Sequence, residues 1–234
     1  MLTVGSLFSG IGGIDLGLER AGMKVLWQVE KDLYAQRVLA KNFPGVACYD
    51  DILNVKGASV PYVDVLAGGF PCQDISVAGK GAGIKEGTRS GLWSEYIRIV
   101  RELRPRYVLV ENVPALRSRG LDRVLGDLAA SGYDAEWDCF PAVAFGAPHR
   151  RDRLFIVAYA DRPGRQQQQR AFAATPEQFA AQCGGWWAAE PDVGRVAHGV
   201  PQRVDRLRCL GNAVVPQVAE YVGRCIVNHF GGVQ

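Results

Sequence analysis

The sequence lacks any apolar run of about 18 residues, and Met1 to Ile14 has no basic start and is broken by glycines. Neither a membrane-spanning helix nor a secretory signal is therefore readable, and a cytoplasmic location with no membrane partner is the expectation. A CxxC pair is also missing. The six cysteines, at 48, 72, 139, 183, 209 and 225, are scattered, and none has a histidine at metal-ligand spacing. That argues against a metal site and against a disulfide framework, and it makes most of these cysteines small buried hydrophobes in a reducing compartment. Lysine is absent beyond Lys85, so every strong base after Arg89 is arginine.

What is present is the composition of one globular domain, at most with a small appendage: 234 residues, 48% hydrophobic and 22% charged. The formal charge of +3 hides a division. Residues 1–97 carry 9 basic and 10 acidic groups, whereas residues 98–234 carry 18 and 14. Arginine suits bidentate phosphate and base-edge contacts, so the excess reads either as a nucleic-acid surface or as the codon usage of a high-GC genome.

Hydrophobic patterning predicts alternating strands and helices. Thr3 to Leu7 reads as a strand, Phe8 to Gly13 as a glycine-rich loop and Ile14 to Ala21 as a helix. Val25 to Glu30 reads as a second strand and Asp32 to Asn42 as a second helix. Val63 to Ala67 and Tyr107 to Val110 read as buried strands, with helices at Gly91 to Leu103 and Leu121 to Ser131. This order predicts an α/β fold built on a mostly parallel sheet with helices on both faces. Asp134 to Phe140 and Leu154 to Tyr159 have no helix pattern between them and predict an antiparallel hairpin at the sheet edge. Asp161 to Gly185, with its Gln166 to Gln169 run, reads as a low-complexity insertion, and Ala213 to Phe230 as a final helix.

Four clusters carry chemistry. Phe8-Ser9-Gly10-Ile11-Gly12-Gly13 joins the first strand to the first helix, where glycines let backbone approach a ligand at a helix N-terminus. It is not GxGxxG, because Asp15 holds the last glycine position; a compact nucleoside cofactor fits better than a pyrophosphate-bearing dinucleotide. Glu30 ends the next strand, placed to accept hydrogen bonds from ribose hydroxyls. Gly68-Gly69-Phe70-Pro71-Cys72-Gln73 follows a buried strand at the carboxyl edge of the sheet, where a thiol on a fixed loop is a plausible nucleophile. Beyond it, Ala78 to Gly83 could close over a substrate. Glu111-Asn112-Val113 ends a neighbouring strand on that same edge. His149-Arg150-Arg151-Asp152-Arg153 opens the last strand, where alternation places Arg151 and Arg153 on one face.

Taken in order, these residues resemble the DNA cytosine-5 methyltransferase family of bacterial and phage type. The match includes FSGIGG, Glu30, Asp51-Ile52, Pro71-Cys72, Glu111-Asn112-Val113, Arg151 with Arg153, and Gly211-Asn212-Ala213-Val214-Val215-Pro216. It covers nearly the whole chain apart from about residues 161–190. The resemblance implies a Rossmann-like fold, S-adenosyl-L-methionine as cofactor, double-stranded DNA as partner, and a role in DNA methylation and restriction-modification. It implies Cys72 as the thiolate that adds to cytosine C6, Glu111 as the group that protonates or hydrogen-bonds N3, Arg153 on the O2 edge and Arg151 orienting the nucleophile region. For the cofactor it implies Phe8, Gly10 and Gly12 at the methionine and backbone contacts, Glu30 at the ribose, Asp51 and Ile52 at the adenine, and Leu92 and Asn212 in the surrounding wall, with Ile11, Gly13, Lys31, Pro71 and Ala213 also among the cofactor-binding residues. Because C6 is inaccessible in a stacked duplex, the base must be flipped into the pocket.

The expected organisation is a catalytic and cofactor-binding core at 1–160, a reduced recognition region at 161–208 and a C-terminal segment at 209–234 packing back on the core, in a monomer. His149 stands where the family commonly has Gln. Only some 30 to 50 residues are available where family members usually place a target-recognition domain of small-domain size. Trp186, Trp187 and Arg195 to Arg208 are the candidates for DNA contacts there, with the tryptophans equally readable as cover for the core. An alternative reading is a catalytically weak or inactive DNA-binding relative that depends on a partner. A nicotinamide oxidoreductase is more remote, since the glycine loop lacks that fingerprint.

Overall fold

The computed structural model describes residues 1–71, 92–160, 171–172, 175–176, 179 and 202–231. Cys72, Gln73, the 78–83 stretch, Trp186, Trp187 and Arg195 lie outside the described residues.

The chain alternates β1 (Thr3–Leu7), α1 (Gly13–Arg20), β2 (Lys24–Val29), α2 (Leu33–Asn42), β3 (Ala47–Tyr49) and β4 (Val65–Gly68). After β4 come α3 (Trp93–Leu103), β5 (Tyr107–Asn112), α4 (Leu116–Arg119), α5 (Leu121–Ala130), β6 (Tyr133–Pro141) and β7 (Asp152–Ala160). Helices α6 (Arg203–Asn212) and α7 (Pro216–Gly231) follow. The strands form one sheet in the order β3-β2-β1-β4-β5-β7-β6. Strands β1 to β5 are parallel, whereas β7 runs antiparallel to both β5 and β6, as the edge-hairpin pattern predicts.

Period-two alternation sends successive side chains into two separate cores. Leu66, Val108, Val110 and Ile156 pack with α3 and α5 on one face. Val65, Ala67, Tyr107, Leu109 and Val157 pack with α1 and α7 on the other. Helices α1 and α7 meet closely because Gly17 has no Cβ; one there would overlap Ala219 and the backbone of Pro216 and Glu220. The strand order reverses direction between β1 and β4, so a crevice opens beyond their carboxyl ends, which are the glycine loop and the Gly69–Phe70 turn.

Four elements differ from the sequence expectation. The edge strand β3 and the helices α4 and α6 are additional to it. The final helix starts at Pro216 rather than Ala213, since proline suits the first helical position. The loop of the β6–β7 hairpin holds a 3-10 turn, Ala142–Phe145, whose Phe145 packs against Phe140 and Tyr221.

Candidate active site and cofactor cavity

The crevice is a cavity of about 870 Å³. The glycine loop forms one wall. Phe8, Gly10 and Gly12 all have positive φ, of 53°, 56° and 83°, so the chain folds tightly over the end of β1 before α1 begins. A Cβ at Gly10 would meet nothing within 4 Å, so that backbone is open to the cavity. Gly13 is needed for another reason, since a Cβ there would overlap the carbonyl of Val214.

Opposite the loop, Glu30 accepts hydrogen bonds from the Gly10 amide through Oε2 and from the Asp32 amide through Oε1, both at 2.7 Å. Each carboxylate oxygen has a further acceptor site for a hydroxyl pair. Asp51 accepts from the Leu53 amide and pairs with Lys31 at 2.6 Å, which holds its carboxyl below the usual range. Buried Ile52 and half-buried Leu92 supply apolar walls. On the far side, α6 brings Arg208, Cys209 and Asn212 to the cavity, and Arg208 pairs with Asp32 at 2.5 Å. A nucleoside carrying an amino-acid arm fits this donor set: a carboxylate at the ribose position, apolar walls for a base, and open backbone at a helix N-terminus. Phe8, Gly10, Gly13, Glu30, Lys31, Asp51, Ile52, Pro71, Leu92, Asn212 and Ala213 all line the cavity, whereas Ile11 and Gly12 do not.

At the floor, β5 carries Glu111 and Asn112. Glu111 is buried, and its Oε1 meets Arg153 Nε at 3.0 Å. A Cβ on Gly69 would overlap its Oε2, so this glycine makes room for the carboxylate. Burial pushes the Glu111 carboxyl up to about 7, and Arg153 and Arg151 only partly oppose that rise. Asn112 Nδ2 donates to the Phe70 carbonyl at 3.1 Å while its Oδ1 accepts from the Val113 amide, which fixes the turn leading into residue 72. Phe70 itself packs on Trp93, whose Nε1 donates to Asp127 at 2.8 Å.

Arg151 and Arg153 part company. Arg151 stands just ahead of β7 with φ 35°, where strand alternation does not apply, and it does not line the cavity. Its Nε and Nη2 donate to the carbonyls of Ala213 and Gly211 at 3.1 and 2.7 Å, tying the segment before α7 to the site. Sequence reasoning gave no role to Asn112, Phe70 or Asp32, and it read Arg208 as the end of the Arg195 to Arg208 segment offered for DNA contacts, whereas the structure places it on the cavity wall against Asp32. A polar residue directly after a strand-end carboxylate is a usable signal for Asn112.

The reversal of strand order, the glycine loop and the acidic end of β2 define a Rossmann-like fold with a nucleoside-sized crevice at its switch point. More narrowly, this chain belongs to the C-5 cytosine-specific DNA methylase family, whose profile matches residues 2–182. Type II methyltransferase M2.BsuMI of Bacillus subtilis is 40% identical over 165 residues, covering 67% of this chain and 42% of that protein. A solved DNA modification methyltransferase encoded within an Escherichia coli prophage superposes with a TM-score of 0.58 at 30% identity, over 68% of this chain and 47% of that one. DNMT2 of Spodoptera frugiperda shares the fold, with a TM-score of 0.60 at 20% identity over 73% of this chain and 53% of that one. This chain spans about half the length of the curated relatives it matches.

Proposed function

We propose that this chain transfers a methyl group from S-adenosylmethionine to C5 of cytosine in double-stranded DNA, through a covalent adduct on Cys72 with the target base flipped out of the stack. The observation that carries this reading is the buried Glu111 carboxyl paired with the half-buried Arg153, on the cavity wall next to the Asn112-clamped Gly69–Phe70 turn, which Cys72 follows in sequence.

Cytosine C5 is a poor nucleophile until C6 is attacked. The Cys72 thiolate forms a bond to C6, and Glu111, which holds a proton near neutral pH, delivers it to N3 so that the ring carries no uncompensated charge. Arg153, held by Glu111, presents its remaining N–H groups toward the O2 edge. When bound, S-adenosylmethionine supplies an electrophilic methyl group. Water then takes the C5 proton, the N3 proton returns to the Glu111 carboxylate and the Cys72 sulfur leaves as thiolate, which restores the neutral aromatic ring. Glu30 and the glycine loop are suited to hold the ribose and the amino-acid arm, and Asp51 with Ile52 to hold the base.

Incubation with labelled S-adenosylmethionine and mixed genomic DNA should yield 5-methylcytosine, and DNA carrying 5-fluorocytosine should trap the protein covalently, because fluorine does not leave as a cation. Cys72→Ser should abolish both, since a hydroxyl is hardly ionised at neutral pH. Trapping that survives in Cys72→Ser overturns the assignment of the nucleophile. DNA binding without any turnover by the wild type overturns the activity and favours the partner-dependent relative.

A further inference from the structure

The base end of the cavity stands on a turn that lies outside the sheet. Asp51 and Ile52 line the cavity from the start of a 3-10 turn, Ile52–Asn54, in the connection between the three-residue edge strand β3 and β4. Helix α3 lies behind that turn. From the middle of the helix, Arg98 Nη2 donates to the carbonyls of Ile52 and Val55 at 3.1 and 3.0 Å. The rest of the guanidinium is fixed on its own helix, with Nε on Glu95 at 2.7 Å and Nη1 on Glu102 at 2.9 Å. Glu102 adds a second fastening, since its other oxygen accepts from the Gly57 amide at 2.6 Å, and a Cβ on Gly57 would overlap that of Glu102.

One planar guanidinium thus joins two carboxylates of α3 to two carbonyls of the turn. A lysine ammonium carries the same charge between the two glutamates, but its three donors sit on one nitrogen and do not form that fork. What the fork holds reaches the cavity directly, because Ile52, whose carbonyl it takes, is itself a cavity wall. Asp51 moves with the turn as well, since its Oδ1 accepts from the Leu53 amide at 3.1 Å. A carboxylate at this end of the cavity accepts a hydrogen bond from an exocyclic amine and meets a ring carbonyl unfavourably, so the register of the turn decides which base fits.

We propose that Arg98, which does not itself line the cavity, is a positioning residue that sets the preference of the cofactor site for a 6-aminopurine over a 6-oxopurine by holding the Asp51–Ile52 turn in register. The inference rests on the cofactor reading above.

Calorimetric titration with S-adenosylhomocysteine and its 6-oxo analogue S-inosylhomocysteine tests it, because the two ligands share ribose and amino-acid arm and differ only at the purine edge. The wild type should prefer the amino ligand by about tenfold or more, the worth of a hydrogen bond lost and an acceptor left facing a carboxylate. In Arg98→Met that ratio should fall by about three- to tenfold, the worth of one hydrogen bond, with S-inosylhomocysteine changing by less than about twofold. Arg98→Lys keeps the charge between Glu95 and Glu102, serves should the Met variant not fold, and should show the same fall. A loosened fold would weaken both ligands alike. Equal weakening, an unchanged ratio, or a Lys variant with the wild-type ratio overturns the proposal, and so does a wild type that binds both ligands equally, which leaves the cofactor reading intact. If the wild type binds neither ligand, the cofactor reading itself fails and takes this one with it.

Discussion

Glu111 shows how one residue's surroundings set both its chemistry and its cost. Its carboxyl is raised to about 7 by burial, so it holds a proton that a solvated glutamate would have lost. A raised acid contributes its full stability below its unfolded value of 4.5, and that contribution is lost as pH rises through about 7. The loss is on the order of 3 kcal/mol. Glu111→Gln should therefore flatten the fall in urea midpoint between pH 5 and 8, and should slow single-turnover methyl transfer by about 10²- to 10⁴-fold, the usual worth of a positioned proton donor. A midpoint that tracks the wild type across that range would show that Glu111 is not the titrating group. Glu111 and Arg153 were legible in the sequence as a strand-end carboxylate and a strand-start cation. Arg151 was legible only as a cation, because its positive φ breaks the alternation on which its placement was argued. Asp15 was visible only as a missing glycine; its burial depends on Ser6 and Gln28, which lie on two other elements.

At the scale of elements, the parallel strands were readable because both faces are buried and their sequences are near-continuous apolar runs. The elements missed give weak or misleading signals. Strand β3 is three residues at the sheet edge, too short to show a period, and α6 carries Val204, Leu207 and Leu210 at helical spacing within an otherwise polar, arginine-rich run and leaves them exposed. What positions α6 and the segment after it is contact with distant parts of the chain: Arg208 on Asp32, Arg151 on the carbonyls of Gly211 and Ala213, and Val214 against Gly13. The last contact can be tested. Gly13→Ala would drive a methyl group into the Val214 carbonyl, which is backbone and cannot rotate away, and should destabilise the protein by about 1–3 kcal/mol. Gly126→Ala is the control, since its Cβ would meet nothing within 4 Å on the exposed side of α5 and should stabilise by up to about 1 kcal/mol. Chemical denaturation of the two variants should give opposite signs. A neutral Gly13→Ala would mean that the segment around Val214 yields, and that the loop does not depend on it.

For the whole molecule, the proposed methylation of DNA raises the question of how a chain with so short a segment between β7 and α6 would select a target base. Base readout requires several side chains in the major groove, and each bidentate contact gives only about 1–3 kcal/mol of discrimination. Residues 161–202, between the end of β7 and α6, leave room for few of them. Phosphate contacts are less demanding of architecture. The cationic excess of residues 98–234 is arginine alone, and Arg117 and Arg119 stand on α4, immediately after the Glu111-bearing end of β5. DNA affinity should therefore be carried by charge, and with some six or more phosphates neutralised it should fall by about 10³-fold or more between 50 and 200 mM salt. The methylated sequence should correspondingly be short or degenerate. Fluorescence titration at a series of salt concentrations gives the slope, and conversion sequencing of DNA methylated in vitro gives the flanks of every reacting cytosine. A shallow slope together with a strict site of about six base pairs, the length several independent base contacts would specify, would mean that recognition is built into parts of the chain that read as scaffold.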